Sequence, residues 1–215
     1  EALSQPYRYT IRFTSPNANI PPDAILNQKA EFLLRAPNPE ASWHGQSSWL
    51  PVRQINGTIT AFSRVKSSSD EALYECVLEH ELALLNRNFR SAVYTDVTVP
   101  EVVTQLMKES RYFEGFNIDF DSLRCTYPRR EMIIQWKETD LEFIRRLLAE
   151  VGIWFRLENH STTPTETVVI FGDSASRYII SEKKFPFVRR SGMTSHDEYV
   201  TELEERHALI PENIM

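Results

Sequence analysis

His80 and Glu81 begin an H-E-x-x-H pattern, in which two imidazoles one helical turn apart hold zinc and the glutamate serves as general base. The second histidine position is Leu84, so one ligand is missing. Tyr74, Cys76, Leu78, His80, Leu82 and Leu84 also alternate with Glu75, Glu79 and Glu81, the period of a strand rather than a helix. His80 is therefore expected on a strand, facing the core or a subunit contact. His44, His160, His196 and His207 have no partners at metal-ligand spacing. The run from Gly45 to Trp49, GQSSW, lacks the closing glycine of a nucleophile elbow, and six glycines in the whole chain leave no phosphate-cradling loop. Asp119 and Asp121 are spaced like paired acid and base carboxylates, but on an alternating strand they form its polar face with Asn117. Cys76 and Cys125, the two cysteines, supply neither a zinc knuckle nor a disulfide framework and are expected as buried or partly buried thiols. The residues thus point to no catalytic, metal or cofactor site and to a chain that is not an enzyme.

The chain has 215 residues, 41% of them hydrophobic, enough for one large domain or two small ones. Its formal net charge is −6, from 30 acidic and 24 basic residues, with both signs interspersed. Nucleic acid binding needs a concentrated basic surface, so it is not expected. The Arg-Arg pairs beginning at Arg129, Arg145 and Arg189 are far apart and read as solvated or ion-paired. Glu1 to Arg12 is polar and holds no signal-peptide core. No apolar run approaches the roughly 20 residues of a membrane span. A cytoplasmic start follows, with any export by another route. The sequons at Asn56 and Asn159 carry no weight in that setting.

The elements that must position these residues are β-rich first and mixed afterwards. Tyr7, Tyr9, Ile11 and Phe13 alternate with polar residues as a half-buried strand, and Lys29 to Arg35 is another. Ala36 to Pro51 reads as an exposed loop, Asn56-Gly57 as a two-residue hairpin turn, and Leu73 to Leu85 as further sheet, with no helix in this block. Thr98 and Glu101 form a T-x-x-E capping box ahead of Val99, Val102, Val103, Leu106 and Met107, with Pro100 in the first turn. Strands follow at Phe116 to Phe120 and Met132 to Trp136. A second capping box, Thr139 and Glu142 with Asp140 between them, opens a helix whose apolar face is Leu141, Ile144, Leu147, Leu148 and Val151. Arg145, Arg146 and Glu150 lie on its outer side. Gly152 ends it, and Ile153, Phe155 and Leu157 alternate with Trp154, Arg156 and Glu158 as a strand, followed by Thr167 to Gly172. Both helices are expected on one face of an antiparallel or mixed sheet. Trp136 is expected in the core. Trp43 and Trp49, in the polar loop, fit either a subunit or partner contact or local packing. Phe185 to Arg190 and Glu198 to Ile210 read as strands too few to close a barrel.

The segment QWKETDLEFIRRLLAEVGIWFRLE, from Gln135 to Glu158, closely resembles a signature of VgrG, the type VI secretion spike family, and of baseplate hubs in contractile-tailed phages. Ala72 to Ser110 is similar to that family's strand, loop, short strand and V-P-E-led helix. Asn56 to Phe62, NGTITAF, is similar to a strand where the family usually carries His-Gly, with Asn56 in the histidine's place. FPFVRRSGM near Phe185 and LIPENI at Leu209 to Ile214 resemble the entry into a second barrel.

The resemblance implies an α+β, mainly β fold in three parts: a barrel-like tube domain at 1–92 lacking its opening strand, an α+β domain at 93–178, and the start of a second barrel at 179–215. It further implies a homotrimer whose six similar barrels form a pseudo-sixfold ring on a hexameric inner tube. A neck, a β-helical needle, a tip protein and effectors would complete a machine that punctures a target membrane transiently. A contractile prophage baseplate hub is the alternative, and a hydrolytic enzyme domain a weaker one.

Overall fold

The computed structural model describes residues 2–38, 47–113, 117–163, 165–178, 184, 186–187, 200, 202–205 and 207. Period-two burial makes the first sheet. In β1 (Arg8–Ser15) Tyr9, Ile11 and Phe13 turn inward while Arg8, Thr10 and Arg12 stay in water. With β2 (Lys29–Pro37), β3 (Trp49–Ser67) and β4 (Ala72–Glu79) it forms a half-barrel of order β1-β4-β3-β2. The β1–β4 and β4–β3 pairs are antiparallel. Tyr7, Ile55, Ile59, Cys76 and Leu78 fill its core. The Tyr74 ring stacks between Phe13 and Phe62, at 5.6 and 5.2 Å between centroids.

Asn56-Gly57 is not a hairpin turn. β3 runs through it for 19 residues, and both positions are buried. Gly57 lacks a side chain for a different reason: a Cβ there would overlap the Glu79 carbonyl on the neighbouring strand. The expected loop is also shorter than Ala36 to Pro51, because β2 extends to Pro37 and β3 begins at Trp49. The strand expected through Leu85 ends at Glu79, and residues Glu81–Asn86 coil into a 3-10 helix. Leu82, Leu84 and Leu85 are all buried there, which one face of a strand cannot do for the adjacent pair at 84 and 85.

Two helices of 11 residues follow, α1 (Val99–Glu109) and α2 (Asp140–Glu150). Both capping boxes close as expected. Thr98 Oγ1 accepts from Glu101 N at 3.3 Å while Glu101 Oε2 accepts from Thr98 N at 2.8 Å. Thr139 and Glu142 repeat this at 3.2 and 2.9 Å. The main-chain bond to Thr is the first cause holding each glutamate below its ordinary pKa. Gly152 stands at φ 72° after α2. Phe143 joins Leu141, Ile144, Leu147 and Leu148 on the buried face of α2, and Val151 is only partly buried.

That wider face explains why one sheet is replaced by two. β5 (Phe89–Val97) pairs antiparallel with β7 (Arg130–Thr139) as a two-stranded ribbon. β6 (Ile118–Ser122), β8 (Trp154–Asn159) and β9 (Thr167–Gly172) form a mixed sheet of order β6-β9-β8, with β6 parallel to β9. Tyr94 and Ile133 from the ribbon share one core with both helices and with Phe155, Val169 and Phe171 from the mixed sheet.

Several inward and outward expectations reverse. Trp136 is 68% exposed, because Ile133 and Gln135 take the inward positions of β7. The Gln135 amide donates to Asp140 Oδ1 at 2.9 Å and to Glu138 O at 3.2 Å, which holds that side in. Trp154 is buried against Tyr178, and a Cβ on Gly172 would overlap its indole. Asn117 is buried rather than on a polar face, donating to Thr167 O at 2.8 Å. Cys76 is buried, but Cys125 is exposed. Phe116, Trp43, Phe185, residues 188–190 and the stretch around Leu209 lie outside the described residues.

Residues Glu1–Leu34 with Pro51–Tyr178 form one compact unit, and Arg35–Leu50 with Ile179–Met215 a second. Within the second, Asn38 N donates to Ser48 O at 3.0 Å and Phe187 bridges Val200 in parallel.

Two substitution pairs test these assignments by urea unfolding. Gly57→Ala is expected to cost roughly 2–3 kcal/mol through overlap, against about 1 kcal/mol for Gly152→Ala, where only the backbone conformation resists. Thr139→Ala is expected to cost about 1 kcal/mol and Arg145→Ala less than half of that. A Gly57→Ala midpoint equal to wild type would mean the β3–β4 approach is misplaced.

Candidate functional site

Among the described residues, a constellation with the residue types of a catalytic centre sits where β4 ends. His80 is fully buried, its ring edge-on to Tyr7 at 5.3 Å and stacked on Phe113 at 6.2 Å. Its Nε2 lies 2.8 Å from Thr167 Oγ1, and Thr167 Oγ1 lies 3.5 Å from Glu81 Oε2. Thr, His and Glu in series look like a nucleophile with its base. The other ring nitrogen decides otherwise: Nδ1 accepts the Leu82 N–H at 3.0 Å, so the proton belongs on Nε2 and is donated to Thr167. A base would need that lone pair facing the hydroxyl. Burial also pushes the imidazole pKa down to about 3, so it stays neutral. His80 is a pin between the end of β4, the 3-10 helix and β9. The H-E pair was legible in the sequence, whereas its partner Thr167, 87 residues away, was not.

A second polar junction ties the half-barrel to β8. Tyr7 Oη donates to Asn56 O, Gln54 Nε2 to Asn56 Oδ1 at 3.1 Å, and Asn56 Nδ2 to Asn159 Oδ1 at 3.2 Å. Asn159 Nδ2 returns a bond to Gln54 O at 3.0 Å. A third holds the loop before β7. The Asp173 carboxylate accepts from Arg124 N and Cys125 N, at 2.9 and 2.8 Å, and from Tyr127 Oη at 3.0 Å. These donors, Cys125 N first, keep its pKa down to about 2, and the carboxylate in turn raises that of the Cys125 thiol. Nothing in the local sequence marks Asp173 for this.

The remaining candidates are structural or superficial. Asp140 pairs with Arg90 at 2.6 Å, joining the start of α2 to β5, and Glu101 pairs with Arg129 at 2.9 Å. Arg130 and Arg146 are both paired with Glu150, while Arg145 is exposed. Asp119 and Asp121 lie on β6, and Asp119 Oδ1 accepts from Asp121 N at 2.7 Å, a turn-like local bond. Trp49 is 52% exposed. An open depression of about 560 Å³ between Arg87, Arg90, Arg111 and Tyr112 is polar, with Glu109 and Asp140 both on Arg90. Among the described residues no three His, Cys, Asp or Glu side chains converge as a metal site. None of the described helices is long and apolar enough to cross a membrane.

A mainly β chain in which His80, Asn56 and Asn117 are buried and bonded to neighbouring strands, rather than opening onto a cleft, has the make-up of a structural assembly domain. It belongs to the phage tail baseplate hub (GPD) family, whose model matches residues 1–215. It is similar to the type VI secretion system spike protein VgrG5 of Pseudomonas aeruginosa, 28% identical over 205 residues, or 93% of this chain and 23% of that protein. The actin cross-linking toxin VgrG1 of Vibrio cholerae is 25% identical over 171 residues, covering 80% of this chain and 14% of the toxin. A solved structure, the E. coli c3393 protein, superposes with a TM-score of 0.72 at 37% identity, covering 87% of this chain and 47% of that one. That protein is described as a type VI secretion component with structural similarity to the T4 bacteriophage tail proteins gp27 and gp5. The chain therefore spans less than half of each of these relatives. The resemblance carried by Gln135 to Glu158 holds across the whole chain, which corresponds to a VgrG N-terminal region.

The neutral, buried His80 makes stability depend on pH. Its pKa is 6.5 when exposed in the unfolded chain and about 3 in the fold, so the unfolded state takes up a proton first as pH falls. Stability is expected to be full above pH 6.5 and to decline between 6.5 and about 3. His80→Asn, which keeps a capping acceptor for Leu82 N, is expected to be less stable at pH 7 but to show a flatter profile over that window. Parallel thermal-unfolding profiles of the two proteins from pH 7 to pH 4 would remove His80 as the cause.

Proposed function

We propose that this chain is the hub region of a type VI secretion spike protein and acts as a structural part. In this reading 1–92 is a first tube domain, 93–178 the α+β domain and 179–215 the beginning of a second tube domain. Three copies place six tube domains in a ring that meets a hexameric inner tube. Other parts of the protein form the neck and needle and engage a tip protein and effectors. The protein is made in the cytoplasm and leaves it when the contractile machine fires, touching the target membrane transiently. Rigidity and symmetry matching are the work of this region, with no cofactor and no catalysis.

The observation that carries this reading is the family match over all 215 residues, together with the buried His80 and Asn56, whose side chains are held by partners on other strands. A toxin among the relatives is compatible with it, because the matched part is 14% of that protein. A contractile prophage hub is the second reading, favoured by the family's own description as a phage tail baseplate hub.

Light scattering on the full-length protein is expected to give the mass of three copies, and imaging with tube subunits to show end-on binding. A stable monomer or dimer at micromolar concentration, without tube binding, would defeat the proposal. Co-purification with a phage tail tube instead of a secretion tube would select the prophage reading. Metal analysis is expected to find no stoichiometric zinc, and chelator-sensitive turnover would reopen the enzyme reading.

A further inference from the structure

Two depressions meet beside the 3-10 helix at Glu81–Asn86. The larger, about 560 Å³, lies between Arg87, Arg90 and Arg111, with Tyr112 on its rim. The smaller, about 310 Å³, has Leu26, Ile59, Ala83 and Leu84 as its apolar lining. Each falls within the roughly 300–1,000 Å³ of a ligand site. Leu84 and Arg87 belong to both, so the two form one groove with a cationic end and an apolar end.

The charges of this groove are not all answered within the chain. Arg90 is answered: its guanidinium reaches Asp140 at 2.6 Å and Glu109 at 3.4 Å. Glu79, at the apolar end, accepts from Thr60 Oγ1 and lies 3.9 Å from Arg8. Arg87 and Arg111 are exposed, and among the described residues neither meets a carboxylate. Arg111 is also a poor residue for its own backbone. It stands at φ 63° just past α1, in the left-handed region that glycine or asparagine adopts with less strain. What arginine contributes at that position is its charge on the rim of the groove.

We propose that this groove binds an acidic peptide segment of a partner protein. Its carboxylates pair with Arg87 and Arg111, and a neighbouring aliphatic side chain packs against Leu26, Ile59 and Leu84. Charge and shape select that occupant. Planar guanidinium forks match carboxylates with two parallel hydrogen bonds. Carboxylates spread along a peptide bring single charges to separate arginines, whereas a phosphate concentrates nearly two charges at one point beside Glu109 and Asp140. No glycine lines the cationic end to fold main-chain N–H groups around a phosphate. The apolar end suits a side chain of leucine size and offers a phosphate nothing. All of these residues belong to one compact unit of one chain, so the groove exists whether or not the hub reading holds.

The test uses full-length protein and two fluorescein-labelled hexapeptides, Glu-Glu-Glu-Leu-Glu-Glu and Gln-Gln-Gln-Leu-Gln-Gln, followed by fluorescence anisotropy at low salt. The glutamate peptide is expected to bind at least tenfold more tightly than the glutamine peptide. Arg87→Gln combined with Arg111→Gln is expected to abolish that preference, whereas Arg145→Gln, on the outer side of α2, is expected to leave it within twofold. A second measurement needs no variant: a benzophenone on the glutamate peptide is expected to mark residues 84–88 or 109–112 of the wild type on illumination. Equal affinity for the two peptides, a preference kept by the double variant, or cross-links confined to other residues would overturn the proposal. So would displacement of the peptide by inorganic phosphate at a concentration where acetate has no effect, which would assign the site to phosphate. A monomer that binds the peptide defeats the hub reading alone, and a trimer that does not bind it defeats this inference alone.

Discussion

Two helices of 11 residues cannot hold their shape in water, and the rest of the α+β region follows from that constraint. An isolated helix of this length is marginal even with good capping, so its stability must come from burying an apolar face. Val102, Val103, Leu106 and Met107 of α1 and Phe143, Ile144 and Leu147 of α2 are completely or almost completely buried. Five inward side chains on a helix as short as α2 make a face too broad for one sheet edge. A ribbon and a mixed sheet therefore both contribute to the core, with Phe171 stacked on Phe120 at 4.2 Å as part of the latter.

Polar chemistry then serves this arrangement instead of a substrate. Each capping box satisfies helix-end donors that would otherwise have no partner within the helix. Arg90 to Asp140 links the first turn of α2 to the ribbon, and His80 to Thr167 links the end of the half-barrel to the mixed sheet. Asn56 and Asn159 make a parallel connection a few strands away. Buried groups of this kind are costly when unpaired, which makes them specific: a shifted register would strand the imidazole or the amide without a partner.

The surface obeys the opposite economy. Inward positions on β7 are taken by Ile133 and by Gln135, whose amide is committed to Asp140, so Trp136 is driven outward by strand geometry. The same alternation brings Met132 and Ile134 out with it. An exposed tryptophan is therefore no folding error here but the other half of the pattern that builds the core.

Local information alone determined the two capped helices, the Gly152 stop and most strands, because caps and periodicity act within a few residues. It also carried the family resemblance, which follows the order of those elements. Tertiary structure decided whatever depends on a distant neighbour. Asn-Gly at 56 and 57 is written identically for a turn and for a close approach, and only the Glu79 carbonyl across the sheet distinguishes them. Alternation through Leu84 mimicked a strand until Leu85 had to be buried beside it. The role of His80 depended on Thr167, and that of Asp173 on the main chain at 124 and 125. Which face of β7 points inward is set by what packs on it, and period two is the same for either face.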